Sequence, residues 1–498
     1  MQSASHRRLS GSSLWRAGAA GSALVALLAA APSCQDGSNP GQGQGDGGAR
    51  DLAGTSTDLP PSGALTLDNI LPATGLAAGG NTVTLYGTGF AAGATVTFGT
   101  SPATAVQVLS TTQLTAVVPA SGGVLGPVAV TVKNPDGSSI SRGDLYSYNR
   151  IQLSFMARIS APAGTNPVGL VASDINNDGF QELVTANQTT NNVTVLAYSQ
   201  AWKNGVSYPA ATSPTSLVAA DFNGNGRPDL AVACSNATGT DLVVLQDNGG
   251  IGFLAPAPLT VAMNLVGVDA RDVNSDNKPD LVAISRSSGQ AYVLLNTTVA
   301  MTPTFTAGAS YAVGSQPAAV LLSDVDADGK PDLVGTSYAA ASLSVFLGQG
   351  AGVFAAAAKV TTTATQPIAL VLGDLNKDGK LDAVTTSFDG KQVSLLTGKG
   401  DGTFASLRNM PVGSMPRAVA IADLDSDGKQ DLIVANSGDD VVTVFLGKGD
   451  GTFEPAQNFT VGSQPVGLVV VDLNKDGKPD IATANFNGND VSILYNQT

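Results

Sequence analysis

The sequence predicts an all-β protein: a seven-bladed β-propeller over residues 150–498, preceded by a small β-sandwich over 64–149. Three observations predict it. The chain is rich in Gly, Thr, Val, Ala and Asp and poor in Glu and Lys, which favours strands and turns over helices. Between 64 and 149, short alternating strands are broken by Gly and Pro. Beyond 150 a nine-residue acidic loop recurs seven times. Asp174 to Asp472 covers 298 residues in six intervals, a period of about 50 that suits a four-stranded blade.

The N-terminus reads as an address. Residues 1–33 hold Arg7, Arg8 and Arg16 and no acid, and Ala17 to Ala31 is an apolar run of small residues and leucines. At 15 residues the run falls short of a bilayer. A basic start, an apolar middle and small residues before a cut describe a secretory signal, so export is expected. Ala31-Pro32-Ser33-Cys34 resembles a bacterial lipobox, whose cysteine becomes lipid-modified. Leu is usual at its first position and Pro departs from the pattern at its second. The alternative is an ordinary signal peptide with an incidental cysteine. Gln35 after the cysteine is compatible with sorting to an outer membrane. The expected location is the cell envelope, lipid-anchored through Cys34 at the outer membrane or cell surface, or otherwise secreted. Residues 34–63 are Gly, Gln, Asp, Ser and Pro with few apolar side chains, and form a flexible tether.

The sandwich spans 64–149. Asn81-Thr-Val-Thr-Leu-Tyr86, Thr95-Val-Thr-Phe98, Gln113-Leu-Thr-Ala-Val-Val118 and Gly126-Pro-Val-Ala-Val-Thr-Val132 are its clearest strands, and Asn134-Pro-Asp-Gly137 is a turn. Pro72-x-x-Gly75, Val83-Thr-Leu-Tyr-Gly-Thr-Gly-Phe90 and Val96-x-Phe98-Gly99 resemble an IPT/TIG domain. That resemblance implies an immunoglobulin-like fold serving as a spacer or adhesion unit. Gly87 and Gly89 would permit a tight backbone path before Phe90 enters the core.

The propeller is read from its loops, each numbered 1 to 9. Oxygen-bearing side chains stand at positions 1, 3, 5 and 9. They are Asp174, Asn176, Asp178 and Glu182 in loop 1, and Asp221, Asn223, Asn225 and Asp229 in loop 2. Loop 3 has Asp272, Asn274, Asp276 and Asp280; loop 4 has Asp324, Asp326, Asp328 and Asp332. Loop 5 has Asp374, Asn376, Asp378 and Asp382; loop 6 has Asp423, Asp425, Asp427 and Asp431. Loop 7 has Asp472, Asn474, Asp476 and Asp480. Calcium takes 6 to 8 oxygen ligands, and side chains at 1, 3 and 5 converge if the chain curls around an ion. The curl needs positive φ at position 6, which is Gly in six loops and Asn277 in loop 3. Position 2 is always apolar and can anchor the loop in the core. There is no Glu at position 12 and no flanking helix, so this is not an EF-hand. Up to seven calcium ions are expected, with loop 2 the weakest because Asn225 replaces Asp.

Val444-Phe-Leu-Gly-Lys-Gly-Asp-Gly-Thr-Phe453 and Leu395-Leu-Thr-Gly-Lys-Gly-Asp-Gly-Thr-Phe404, with the loop pattern, resemble the FG-GAP or VCBS-type repeats of the integrin α-subunit head. The resemblance implies a seven-bladed propeller with calcium in its strand turns. The chain ends at Val491-Ser-Ile-Leu-Tyr495, so the last unit lacks an outer strand. Leu153-Ser-Phe-Met-Ala-Arg158 is the candidate to supply it and close the ring.

Composition narrows the function. The one histidine, His6, lies in the segment expected to be removed, which excludes a Ser-His-Asp triad, a Cys-His pair and a His-ligated zinc. Charged residues are 13 % of the chain and no basic patch exists, so a nucleic-acid partner is not expected. Losing the three arginines of 1–33 takes the net charge from −14 to −17, and 22 carboxylates stand at the loop ligand positions. Seven calcium ions would leave about −3, so the acidity is mostly for ion binding. Cys234 lies on an apolar strand and reads as a buried small hydrophobe.

The expected protein is a non-catalytic, monomeric, calcium-binding surface protein that adheres to or binds an extracellular protein or glycan. The alternatives are a polysaccharide-active propeller lyase and a passive envelope scaffold. No cluster of bases and acids outside the loops supports the lyase. Lys278, Lys330, Lys380, Lys429 and Lys478 recur at position 7, and Trp202 with Tyr198 and Tyr208 is either a sugar platform or packing.

Overall fold

A computed structural model describes residues 64–498 except 78, 123, 125, 150–151, 199–201, 203–204 and 237–241. The expected signal segment, Cys34 and the tether lie outside these residues. The chain divides into two units that part near residue 152, and no helix occurs among the described residues.

In the first unit, Thr66–Leu71, Thr82–Thr88, Gln113–Val117 and Thr104–Ser110 make one sheet in that order. Thr74–Leu76, Ser139–Asn149, Gly126–Lys133, Thr95–Phe98 and Ser101–Pro102 make the other. Val83, Leu85, Val96, Phe98, Leu114, Val130, Val132 and Tyr146 alternate inward from the two sheets to form the core. Phe90 joins it at 2 % exposure, behind Gly89 at φ 75°. A Cβ on Gly87 would stand 2.1 Å from the Thr66 carbonyl oxygen, so the glycine requirement is steric. The Asn134 turn forms, with the Gly137 N–H donating to the Asn134 carbonyl at 3.1 Å.

The second unit holds seven four-stranded antiparallel sheets among the described residues, consistent with the seven expected blades. Blade 1 runs outward through Pro167–Ser173, Glu182–Asn187, Asn192–Leu196 and Val206–Pro209. The inner strands of blades 2 to 7 are Pro214–Ala220, Leu265–Arg271, Pro317–Ser323, Pro367–Gly373, Pro416–Ala422 and Pro465–Val471. Each packs beside the next, and the seventh packs beside the first, which closes a ring. Every second strand is buried along its whole length, its leading acid and its Thr, Ser and Asn residues included, so it shows no in–out alternation.

Blade 7 is completed by strand exchange, through the residues that directly follow the expected segment. The outer strand is Ile159–Pro162, paired from Ile159 with Ile493 to Pro162 with Asp490. Leu153–Arg158 instead supplies the turn and its aromatic. Phe155 forms a bridge with Asn496, as Phe253, Phe354, Phe404 and Phe453 do with the ends of their own third strands. The aromatic precedes the outer strand by four residues both at Phe155 and at Phe453, ahead of Gln457–Thr460. The apolar run 153–156 has the pattern of a strand but packs as the turn ahead of it, which shifts the strand to Ile159–Pro162. Arg158 clasps the join, 3.5 Å from Asp490 and 3.1 Å from the Ser492 hydroxyl.

Candidate metal centres

The nine-residue loops link the first and second strands of each blade, all at the same end of the ring. Their position-2 side chains (Ile175, Phe222, Val273, Val325, Leu375, Leu424 and Leu473) are all buried, as the apolar pattern predicts. This fixes the loop to the blade while positions 3 to 6 curl outward.

One hydrogen-bond pattern repeats in all seven loops. The position-1 carboxylate accepts the N–H of position 5 on one oxygen and that of position 6 on the other, as Asp423 does from Asp427 at 3.0 Å and Gly428 at 2.8 Å. The position-3 oxygen accepts the N–H of position 5, and the position-5 oxygen accepts the N–H of position 7. Position 6 has positive φ in every loop, Asn277 included at 64°. Position 4 does too, at Asn177, Ser275, Ala327, Lys377, Ser426 and Lys475 as well as Gly224, a requirement the sequence reading missed.

Position 9 does more than the spacing suggested. Glu182, Asp229, Asp280, Asp332, Asp382, Asp431 and Asp480 are all buried. In each, one oxygen accepts the N–H of position 2, at 2.8 to 3.1 Å. In six loops the other oxygen accepts the N–H at the end of the third strand: Asp247, Asn296, Gly348, Gly398, Gly447 or Asn496. In loop 1 it accepts instead from the Asn176 amide. The carboxylate ties loop, second strand and third strand into one knot, and each oxygen keeps a further lone pair.

Burial raises these acids. Asp431 is pushed up to about 8, Glu182 and Asp229 to about 7, Asp280, Asp332 and Asp480 to about 6, and Asp382 upward. Nearby carboxylates add to the rise, and backbone donors oppose it. Asp425 is raised to about 6 by burial and by Asp427 and Asp423.

In loops 4 and 6 the structure gathers positions 1, 3 and 9. Carboxylate oxygens of Asp324, Asp326 and Asp332 lie within 4.8 Å of one another, as do those of Asp423, Asp425 and Asp431. Position 5 stands outside these two groups. In loops 4 and 6 its carboxylate pairs with the position-7 lysine, Asp328 with Lys330 and Asp427 with Lys429. The donor set is all hard oxygen, crowded with like charge and partly desolvated, and it fits calcium.

Loop 2 departs from its siblings. Asn225 donates to Asp247 at 2.6 Å, and the Arg227 guanidinium lies 3.0 Å from the same carboxylate. Trp202 is half-buried and donates to the Tyr495 hydroxyl at 3.0 Å, while Tyr208 meets Phe253 edge to face; both are packing contacts. Cys234 is fully buried, as expected.

No curated protein matches the sequence. Among solved structures, one of BBS1N in complex with ARL6DN is 13 % identical, with a TM-score of 0.50, covering 69 % of this chain and 96 % of that one. Virginiamycin B lyase from Staphylococcus aureus is 12 % identical, TM-score 0.48, covering 69 % and 99 %. A lectin from Agrocybe aegerita that recognises non-reducing terminal N-acetylglucosamine is 16 % identical, TM-score 0.44, covering 75 % and 93 %. At 13 % identity the first of these likenesses speaks to fold alone. An IPT/TIG domain model matches residues 65–148. The FG-GAP-like repeat model matches 174–232, 221–283, 272–335, 324–385, 374–434 and 423–483, well over half of the chain, and the protein therefore belongs to the FG-GAP-like repeat family.

Proposed function

We propose that this is a non-catalytic, calcium-binding protein of the cell surface that binds an extracellular protein or glycan. In this reading it is exported and held at the envelope by a lipid on Cys34. The observation that carries it is one loop geometry repeated seven times over a buried position-9 acid, with three carboxylates gathered within 4.8 Å of one another in loops 4 and 6. Calcium would supply the positive charge that these acids lack, and its role is structural. Positions 1, 3 and 9 would hold it, joined by position 5 where no lysine pairs with that side chain, while the knot transmits its binding to the second and third strands. The FG-GAP-like and IPT/TIG modules support a surface binding role, since a ring of blades presents two broad faces of turns. Absence of catalysis rests on the residue inventory: outside residues 1–33 the chain has no histidine, and two of its position-7 lysines pair with loop carboxylates.

The test is a thermal melt of the purified chain in millimolar calcium and in EDTA, followed by glycan-array and envelope pull-down screens in calcium. A melting temperature that drops in EDTA and a defined set of bound partners are expected. An unchanged melt overturns the calcium reading, and silence in both screens overturns the binding reading.

A further inference from the structure

The end of the ring opposite the acidic loops carries a feature that does not repeat. In every blade the residue after the second strand donates its N–H to the carbonyl of the residue before the inner strand, lining this mouth with seven equivalent positions. In blades 3, 4 and 5 these are Arg286, Tyr338 and Phe388, bonded to Asn264, Gln316 and Gln366 at 3.0, 3.0 and 3.2 Å. Arg417, the second residue of the blade 6 inner strand, joins them; that position is uncharged in the other six blades.

The two arginines are held by rings. The Arg286 guanidinium lies 5.4 Å from the Tyr338 ring centroid, and that of Arg417 lies 4.9 Å from the Phe388 centroid. Arg417 stays solvent-accessible while the crowding protein and the Arg286 charge lower its pKa, so the two cations feel each other. Neither guanidinium has an ion pair or hydrogen bond among the described residues, and neither does the Tyr338 hydroxyl. Arg158, Arg227, Arg271 and Arg408 all have such partners. In a chain of net charge −14, two cations without ion pairs, held over rings of the neighbouring blades 4 and 5, and a free phenol are an arrangement that an anion would complete.

We propose that this mouth binds an acidic oligosaccharide, its carboxylate or sulfate held by Arg286 and Arg417 and a neighbouring sugar hydroxyl by Tyr338. The inference rests on the binding reading above and names its ligand class. A sugar is favoured over an acidic peptide because peptide main chains are captured by free backbone donors, and the turn N–H groups here are already bonded to the preceding carbonyls.

The test titrates the full chain, in calcium, with hexasaccharides of hyaluronan (carboxylate) and chondroitin sulfate (carboxylate and sulfate), with cellohexaose as the neutral probe and hexaglutamate as the peptide probe. Binding of either acidic sugar, weakened by salt, is expected. Arg286→Ala and Arg417→Ala should each lower affinity by about tenfold or more while leaving the melting temperature unchanged. Binding that is indifferent to both substitutions, or preference for cellohexaose, overturns this inference and leaves the binding reading standing. Preference for hexaglutamate moves the site to acidic peptides and overturns the sugar assignment. No binding to any of the four probes overturns the inference; the binding reading then depends on the wider screens.

Discussion

At position 3 five loops carry Asn and two carry Asp, Asp326 and Asp425, in the same place and with the same bond to position 5. Asp425→Asn therefore reproduces a side chain the fold already uses. Without metal at pH 8 it should stabilise the protein by about 1 kcal/mol, because it removes a charge that burial and its neighbours disfavour. In calcium it should shrink the gain from the metal, and paired melts in EDTA and calcium read both effects. Asp431→Ala strikes the knot instead. It leaves the N–H groups of Leu424 and Gly447 buried without an acceptor, and a loss of about 3 kcal/mol by denaturant unfolding is expected. In loop 2 the Arg227 charge already sits beside Asp247 and Asn225 replaces an acid, so calorimetric titration should find one site weaker than the rest.

Among the elements, the closure strand Ile159–Pro162 has the most exposed role. Ala161 is 1 % exposed, in a cluster with Leu170, Val469 and Val491, and Phe155 lies edge to face with Phe459 at 4.7 Å. A chain lacking residues 150–163 would leave Asp490–Leu494 as a bare edge, and self-association seen by light scattering is the expected outcome. A monomer as stable as the parent would show that the join is dispensable. The need for an exchanged strand was legible from the truncated last repeat, but its register was not. Leu153, Phe155 and Met156 look like strand residues until the aromatic at Phe155 is matched to Phe453. In the loops, positions 2 and 6 were legible because seven copies agree in chemistry. Position 4 was not: Ala327, Lys377 and Ser426 share no side-chain property, and their left-handed backbone is imposed by the bonds around it, at a cost of about 1 kcal/mol each. Arg286 and Arg417 were illegible for the opposite reason, since they break the repeat and stand in different blades, each held by a ring of a neighbouring one.

For the whole molecule, seven buried acids set the response to pH. Their folded pKa values are raised above the ordinary carboxylate range, so protonation favours the folded state. The stability this gives is complete below about pH 4 and is lost as pH rises through 6 to 8. Asp269, outside the loops and bonded across the blade 3–4 boundary to the Leu322 N–H at 2.8 Å, is raised to about 7 and acts in the same direction. In EDTA the protein should melt lower at pH 8 than at pH 5, and the increment from calcium should be largest at pH 8, where protons no longer compete. Equal melts at the two pH values would contradict the buried-acid account. The closure has a further, mechanical consequence. Tension arriving along the chain from its N-terminal side reaches the ring first at Leu153, Phe155 and the four pairs from Ile159 to Pro162. The clasp there joins Arg158 to Asp490, 332 residues away, so the load passes directly into the last blade and skips the six between. Under a steady pull, the seam at blade 7 is where the ring would part, and the remaining blades would keep their own hairpins until it did.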